Sequence, residues 1–320
     1  MRRAVVESIG HYLPERVVEN SEFETTLETN DAWIRSRTGI ERRHFAAEGE
    51  TTSAMGIRAA QAALNNAGCS VDDIDAIILA TSTADFTFPS AATMVQNGLG
   101  MHHGFAFDVQ AVCAGFLYAL TTANSMISSG QANRVLVIGA ETFSKLMDWT
   151  DRGTCVLFGD GAGAMLIAAQ EDKTSDRGIL ATALRSDGRY KDILFMDGGV
   201  SMQTTGHLRM QGKEVFRHAV EKLSNTALEA IEQAGLTTDD VDWIVPHQAN
   251  KRILEGMSKR LKIPMERVVM TVNNHGNTSA ASIPLAMSVA VQDKRIKQGD
   301  IVVTGAIGGG LAWGTAVIRW

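Results

Sequence analysis

AGCSVDDIDAIIL (67–79) returns 167 residues later as AGLTTDDVDWIVP (234–246), with an alanine, a glycine and three aspartates in register. Each copy reads as the end of a helix capped by glycine (Gly68, Gly235), then an acidic turn, then a buried strand. Two further matches follow in the same order. RVLVIGAE (134–141) resembles DIVVTGAI (300–307), with Gly139 and Gly305 offset by 166, and GAGAMLIA (161–168) resembles WGTAVIRW (313–320) at an offset near 150. Chance can produce one such match. Three in one order indicate two homologous halves of about 160 residues.

Within each half, short apolar runs bounded by turn residues (77–80, 105–109, 135–138) alternate with helix-length segments such as 52–67 and 90–99. That is the α/β pattern of buried sheets flanked by helices. QEDKTSDR (170–177) is the strongly polar interruption near the midpoint, so the predicted units are 1–170 and 171–320.

With 45% hydrophobic and 21% charged residues among 320, the chain can bury a large core and does not read as disordered. Its net charge of −6 argues against general affinity for nucleic acid or anionic membranes. Three cysteines (Cys69, Cys113, Cys155) without C-x-x-C spacing make neither a disulfide framework nor a zinc site, and a reducing compartment fits best. The basic start MRR is interrupted by Glu7 with no apolar run behind it, so it does not read as a signal peptide, and a cytoplasmic location is expected. The uncharged run 109–133 is long enough to span a bilayer, but Gln110, Asn124, Ser125, Ser128, Ser129 and Gln131 mark it as a buried helix with a polar end.

Glycine-rich FGDGAGA (158–164) and GAIGGGLAWG (305–314) do not satisfy G-x-G-x-x-G, and the chain has no G-x-x-x-x-G-K-[ST] and no G-x-S-x-G. Three other positions sit where strands end. Cys113, in VQAVCAGFLYAL (109–120), follows the strand FAFDV at the start of a helix, where the helix dipole favours a thiolate and a lowered pKa. A free cysteine in such a run is ordinarily core filling. His247 follows the strand DWIVP, with Pro246 blocking one more ladder bond. Asn277, with Thr278 and Ser279, reads as an N-cap for the helix that Pro284 punctuates, and capping alone accounts for it. In a molecule of two related halves, however, the strand ends meet at the centre, which would bring all three together.

AVCAGF (111–116), DRGT and LFGDGAGA (151–164), VPHQAN (245–250), HGNTSAAS (275–282) and GGG-x-x-WG (308–314) cover essentially the whole chain. Together they closely resemble the β-ketoacyl-acyl carrier protein synthase III family, the condensing enzymes that initiate type II fatty acid synthesis. The resemblance implies an α/β, thiolase-like αβαβα five-layered sandwich of two duplicated halves, and a homodimer. It makes Cys113 the nucleophile and His247 and Asn277 its partners in a decarboxylating Claisen condensation of a short acyl-CoA, with acetyl-CoA the expected primer, and malonyl-acyl carrier protein.

The chemistry suits these residue types. Thioester exchange onto sulfur is nearly isoenergetic and leaves the acyl group reactive. Loss of CO2 builds negative charge on a thioester oxygen, where neutral His247 and Asn277 can donate hydrogen bonds worth about 3 kcal/mol each. The backbone N–H groups of Cys113 and Gly309 match the oxyanion pair for attack on the acyl carbonyl. No metal or cofactor is expected.

Other roles carry over in the same way. Trp33 and Arg152 match the pair that sandwiches the adenine of CoA, Arg37 would reach phosphate, and Asn250 the pantetheine arm. Surface ion pairing is the ordinary alternative for both arginines. Phe88 matches a residue that the dimer partner contributes to the acyl pocket, and Phe143 and Ile307 match other positions of its wall. Many family members carry phenylalanine where this chain has Ile307 and Leu311, whereas Phe143 is larger than the leucine often found there; primer preference is therefore open.

The carrier protein is acidic, so docking needs a basic patch. At 100° per residue over 249–262, Ile253, Leu254, Met257 and Leu261 form one stripe, while Lys251, Arg252, Lys259 and Lys262 face away from it. Arg260 and, in the preceding helix, Arg217 join them as carrier-docking positions. A charged face is usually just solvated; here it begins beside His247. A related ketosynthase with another acceptor, a non-catalytic acyl-CoA-binding protein and a nucleotide-dependent dehydrogenase are the competing readings.

Overall fold

The computed structural model describes residues 2–170 and 174–320. The chain runs through β1 (Arg3–Tyr12), β2 (Arg16–Glu19), α1 (Asp31–Thr38), β3 (Arg42–Phe45), α2 (Thr52–Ala67), β4 (Ala76–Ala80), α3 (Ala91–Gly98), β5 (Phe105–Val109), α4 (Gly115–Ser129), β6 (Arg134–Thr142) and β7 (Asp160–Gln170). It continues through β8 (Gly178–Ser186), β9 (Leu194–Met196), β10 (Leu208–Met210), α5 (Gly212–Gln233), β11 (Trp243–Ile244), α6 (Lys251–Leu261), α7 (Val272–His275), α8 (Ser282–Gln292), β12 (Ile301–Gly308) and β13 (Ala312–Arg319). The polar junction expected at 170–177 falls in part on 171–173, outside the described residues.

Two sheets carry the fold, in the orders β1-β7-β6-β4-β5 and β8-β13-β12-β11. Their central strands are apolar on both faces (Ala76–Ala80 and Ile301–Gly308 are buried throughout), because helices cover both sides. α2 and α3 pack outside the first sheet, α4 and α8 lie between the sheets, and α5 and α6 pack outside the second. This is the five-layered α/β sandwich expected of a thiolase-like chain. A smaller apolar cluster around Phe23, Ile34, Phe143, Phe158 and Leu194 roofs one end.

The repeat is visible bond by bond. In the first copy Ser70 and Asp73 close a capping box, and the Asp75 carboxylate accepts from Asn133 N (2.5 Å) and Arg134 N (3.1 Å), tying β4 to β6. In the second, Thr237 and Asp240 close the same box, and Asp242 accepts from Ile301 N (2.8 Å), tying β11 to β12. β4 runs parallel to β6 with Ala76 opposite Val135, and β11 parallel to β12 with Trp243 opposite Val302. Both partners are thus displaced by 167 residues, which corrects the 166-residue alignment of Gly139 with Gly305. Gly139 corresponds to Ala306, since strand register is set by the hydrogen bonds and a one-residue slip would turn every side chain to the other face. The counterpart of β5 is reduced to a single bridge, Ile244 to Val268.

The apolar run 109–133 forms β5's end, a 3-10 turn (Val112–Ala114) and α4. The hydroxyls of Thr121, Thr122 and Ser125 donate to carbonyls four residues back, which satisfies the polar end. Among the described residues no helix is long and apolar enough to cross a membrane.

Candidate active site

Cys113 sits on the 3-10 turn between β5 and α4, and only 4% of its surface is exposed. Val112 before it has φ = +49°, a backbone region that a β-branched residue enters only under constraint. Gly308 lies against this turn, where a Cβ would stand 2.7 Å from Cys113 N, and a Cβ on Gly309 would stand 2.6 Å from the Leu194 carbonyl oxygen. Glycine is what lets the end of β12 and the loop after it cross the Cys113 backbone.

His247 follows β11, where the ladder persists past Pro246: Val245 N donates to Val303 O (2.9 Å) and His247 N to Gly305 O (2.8 Å). Its Nδ1 is 2.6 Å from Ser282 Oγ, and that oxygen also accepts from Gln248 N (3.3 Å). With its oxygen taken by the amide, the hydroxyl has its proton free for Nδ1. We assign the neutral ring its proton on Nε2, the nitrogen left to donate. Burial pushes the His247 pKa down to about 3, so the ring is neutral at physiological pH.

Asn277 is pinned by the segment that carries LFGDGAGA: its N donates to Leu157 O (2.9 Å), and Gly159 N donates to its carbonyl (3.0 Å). Its Oδ1 accepts from Ser279 N (2.9 Å), which leaves the Nδ2 amide hydrogens as donors. That bond closes a local turn from Asn277 onto Ser279, ahead of the 3-10 turn Ser279–Ala281 whose N-cap position is Thr278. The residue before α8 is Ala281, without a side-chain cap, and Pro284 lies inside α8's first turn. The expected capping of that helix by Asn277 is corrected accordingly.

Cys113, His247 and Asn277 line one cavity of about 110 Å³ with Phe143, Ile307 and Asn250. The joint placement expected from the two related halves holds. The charge expectation for Cys113 does not: burial, the largest cause, pushes the thiol up to about 12. The Ser279 hydroxyl, which lies 3.5 Å from Sγ, and the residue's own amide favour the thiolate but are outweighed, and Glu141 adds to the rise. A single 3-10 turn ahead of α4 in a dry site gives the helix dipole too little to overcome desolvation.

The other predicted positions are distributed outward from this cavity. Trp33 is on α1, whose N-cap Asn30 accepts from Trp33 N (2.8 Å); the guanidinium carbon of Arg152 lies 5.4 Å and that of Arg37 5.9 Å from the indole centre. Asn250 caps α6 through Ile253 N (3.1 Å) at the cavity edge. Lys251, Arg252, Lys259 and Arg260 are exposed on α6 while Ile253, Leu254, Met257 and Leu261 are buried, as the periodicity required. Arg217, exposed on α5, pairs with Glu214 (2.6 Å). Gly309 does not line the cavity, and Phe88 stands 83% exposed outside it.

Sequence reasoning missed Val112, Glu141 and Ser282, and read Ser279 only as a cap. Glu141 is fully buried on β6, where Oε2 accepts from Thr81 Oγ1 (3.1 Å), Ser82 N (3.1 Å) and Thr83 Oγ1 (2.6 Å). The signal for it was in RVLVIGAE, where a carboxylate follows the apolar run 135–140.

Two family models match, described as 3-oxoacyl-[acyl-carrier-protein] synthase III over residues 107–188 and its C-terminal part over 231–320. A curated β-ketoacyl-[acyl-carrier-protein] synthase III of Ruegeria sp. (strain TM1040) is 72% identical, covering 100% of this chain and 99% of the relative. The crystal structure of 3-oxoacyl-[acyl-carrier-protein] synthase III from Aquifex aeolicus VF5 is similar at 43% identity and TM-score 0.94, covering 99% of this chain and all of that one. A priming β-ketosynthase of the R1128 polyketide pathway also superposes at TM-score 0.94, with 34% identity over 99% of this chain and 96% of that one. A thiol, a neutral histidine and an amide converge in one cavity, on a sandwich shared over its full length with these proteins; the chain belongs to the β-ketoacyl-acyl carrier protein synthase III family, the acyl-transferring condensing enzymes that start fatty acid synthesis by joining an acyl group from CoA to malonyl-acyl carrier protein.

Proposed function

We propose that this chain runs the condensation through an acyl thioester on Cys113, with acetyl-CoA as primer. The observation that carries the reading is the cavity itself: a thiol and two neutral hydrogen-bond donors share about 110 Å³ walled by Phe143 and Ile307. An apolar cavity of about 150 Å³ holds one benzene, so this one suits a short acyl group. The sulfur attacks the acyl-CoA carbonyl and CoA leaves. His247 Nε2 and Asn277 Nδ2 donate to the malonyl thioester oxygen as CO2 departs, and the enolate carbon attacks the acyl carbonyl, whose oxyanion faces the N–H of Cys113. Thiol and donors suffice for this bond-making without a metal or cofactor.

CoA enters between Trp33 and Arg152, with Arg37 at phosphate and Asn250 at the pantetheine. Two stacking distances of about 3.5 Å each exceed the 5.4 Å between Arg152 and the indole, so Arg152 swings aside to admit adenine. The exposed cations Arg217, Lys251, Arg252, Lys259 and Arg260 receive the acidic carrier protein. A second copy joins along β5, the edge strand of the first sheet with Phe105 40% exposed, and its Phe88 completes the acyl pocket. The two units 1–170 and 171–320 work in the cytoplasm as one catalytic body.

The test is intact mass after incubation with a panel of acyl-CoAs, beside Cys113→Ala. One acyl increment on the wild type and none on the variant supports the reading and names the primer; no increment with any short acyl-CoA overturns it.

A further inference from the structure

His247 and Asn277 stand on two segments that the backbone joins only briefly. In the first half β4 pairs with β5 along Ala76–Ala80, whereas in the second the same pairing shrinks to the bridge between Ile244 and Val268, followed by a bond from Val269 N to Ile244 O (2.9 Å). Past that point one segment continues along β12 through Pro246 to His247, and the other runs through Thr271 and α7 to Asn277. A buried side chain spans the gap. Gln248 is 1% exposed, and its amide has every hydrogen-bonding position filled: Nε2 donates to Pro246 O (2.8 Å) and Val269 O (3.1 Å), and Oε1 accepts from Thr271 N (2.8 Å) and Val272 N (3.0 Å). Two carbonyls at one end and two N–H groups at the other fix which end is oxygen. Thr271, the residue before α7, makes no side-chain cap, so Gln248 Oε1 supplies the acceptor that this helix start lacks.

We propose that Gln248 is a positioning residue: its amide sets the distance between the His247 ring and the Asn277 amide so that both reach one oxygen of the malonyl thioester. This rests on the reading of His247 and Asn277 as donors to that oxygen. Gln248 does not line the cavity, so it acts through its neighbours and not on substrate. His247 is held without the help of that amide, by its own N–H on Gly305 O (2.8 Å) and by Ser282 Oγ at Nδ1 (2.6 Å). Gln248 N bonds to the same Ser282 Oγ (3.3 Å), which places the Gln248 side chain in register with the ring. From there the amide grips the other segment at Val269, Thr271 and Val272, just ahead of Asn277. Two donors serve one oxygen only when each lies about 2.7 to 3.1 Å from it. A misplacement of about 1 Å costs about 10²-fold in rate.

Cys113 is carried by other elements, the turn between β5 and α4, so loosening the Gln248 amide leaves the sulfur in place and is felt in the malonyl step. Two substitutions grade the effect. Gln248→Glu keeps the size of the side chain and the two bonds accepted from Thr271 N and Val272 N, but as a carboxylate it faces the carbonyls of Pro246 and Val269 with no hydrogen to give. Gln248→Met keeps the length and gives up all four bonds.

The experiment separates the two half-reactions on full-length protein: acetylation of Cys113 by acetyl-CoA, read by intact mass, and CO2 release from malonyl-carrier protein by the acetylated enzyme, read as kcat and KM. Wild type, Gln248→Glu, Gln248→Met, Asn277→Ala and the double variants of Gln248 with Asn277→Ala are compared. Each Gln248 variant is expected to acetylate within about threefold of wild type and to lose about 10²-fold in kcat for CO2 release, with KM for malonyl-carrier protein nearly unchanged. On Asn277→Ala the same substitution should cost less than about threefold, since the group it misplaces is gone. Where the two variants disagree Gln248→Glu decides, because it keeps the acceptor for α7. Equal losses in acetylation and CO2 release, failure to fold included, or an undiminished cost on top of Asn277→Ala, would make Gln248 a structural residue and overturn the proposal. CO2 release at the wild-type kcat in Gln248→Glu would overturn it as well. A wild type that gains no acetyl group on Cys113, or an Asn277→Ala variant with wild-type CO2 release, would instead overturn the reaction on which the proposal rests.

Discussion

Val112 and Ser279 share a φ of +49° and stand 167 residues apart, the displacement that relates the two halves. Each begins a 3-10 turn that leads into a central helix, α4 at Gly115 and α8 at Ser282, and the two turns pack together. One turn presents the sulfur and the other the hydroxyl beside it. Val112→Gly should remove about 1 to 3 kcal/mol of backbone strain while losing side-chain packing of similar size. Denaturant unfolding is expected to change by no more than about 1 kcal/mol, whereas acylation slows because the Cys113 amide is no longer held. Equal losses in both measurements would mean that the turn is only structural.

In the proposed reaction His247 and Asn277 act on the malonyl half. Their alanine variants should still take an acyl group on Cys113 but lose about 10²- to 10³-fold in decarboxylation of malonyl-carrier protein. Ser282→Ala frees the Nδ1 position and should cost about 10- to 100-fold in the same step. Comparing acylation with CO2 release separates the two effects.

Phe143 stacks on Phe158 at 5.0 Å and lines the cavity, where the proposed reaction places the acyl group. Phe143→Leu should lower stability by about 1 kcal/mol through loss of that contact and shift kcat/KM toward a longer primer, butyryl over acetyl, by about tenfold. Competition between the two acyl-CoAs checks it, and an unchanged ratio would place the limit on chain length elsewhere.

Lys259→Glu reverses a charge on the exposed face of α6 away from the cavity. The KM for malonyl-carrier protein should rise and its salt dependence weaken, while acylation by acetyl-CoA stays the same. A rise in KM for acetyl-CoA instead would move the carrier's landing site off this helix.

Stability should depend on pH through the buried histidines. His247 and His275 are both lowered by burial from 6.5 to about 3, so between those values the unfolded chain binds more protons and stability falls as the solution is acidified. Glu141, raised from 4.5 to about 7, works the other way across that upper interval, where the folded protein holds the extra proton. The net expectation is a decline that steepens below about pH 4.5, where the carboxyl no longer compensates. His275→Asn should flatten it by up to one proton, as urea titrations at successive pH values would show.

Much of this molecule was legible because the fold repeats itself in hydrogen-bonding residues. The aspartates at 72, 73 and 75 recur at 239, 240 and 242, and the paired structures they build are the same. The cavity's thiol and imidazole were legible because they stand where strands stop, whereas Asn277 stands between α7 and the 3-10 turn Ser279–Ala281. The thiol's charge was not, since it follows from how completely the two turns exclude water, and burial is a property of the assembled layers. Glu141 escaped notice for a related reason: aligning Gly139 with Gly305 hid that its counterpart is Gly308, the glycine lying on Cys113.

That correspondence bears on how many reaction centres such a duplicated chain can hold. Where one half has Cys113 the other has Ala280, and where one has Glu141 the other has Gly308. A Cβ at Gly308 would stand 2.7 Å from Cys113 N, and a Cβ at Gly139 would stand 2.4 Å from Ala280 O. The axis between the halves therefore has no room for mirrored copies of its own chemistry. A second carboxylate at 308 would collide with the Cys113 backbone, so the likeness of the halves must break at this point, and the chain carries a single, lopsided centre.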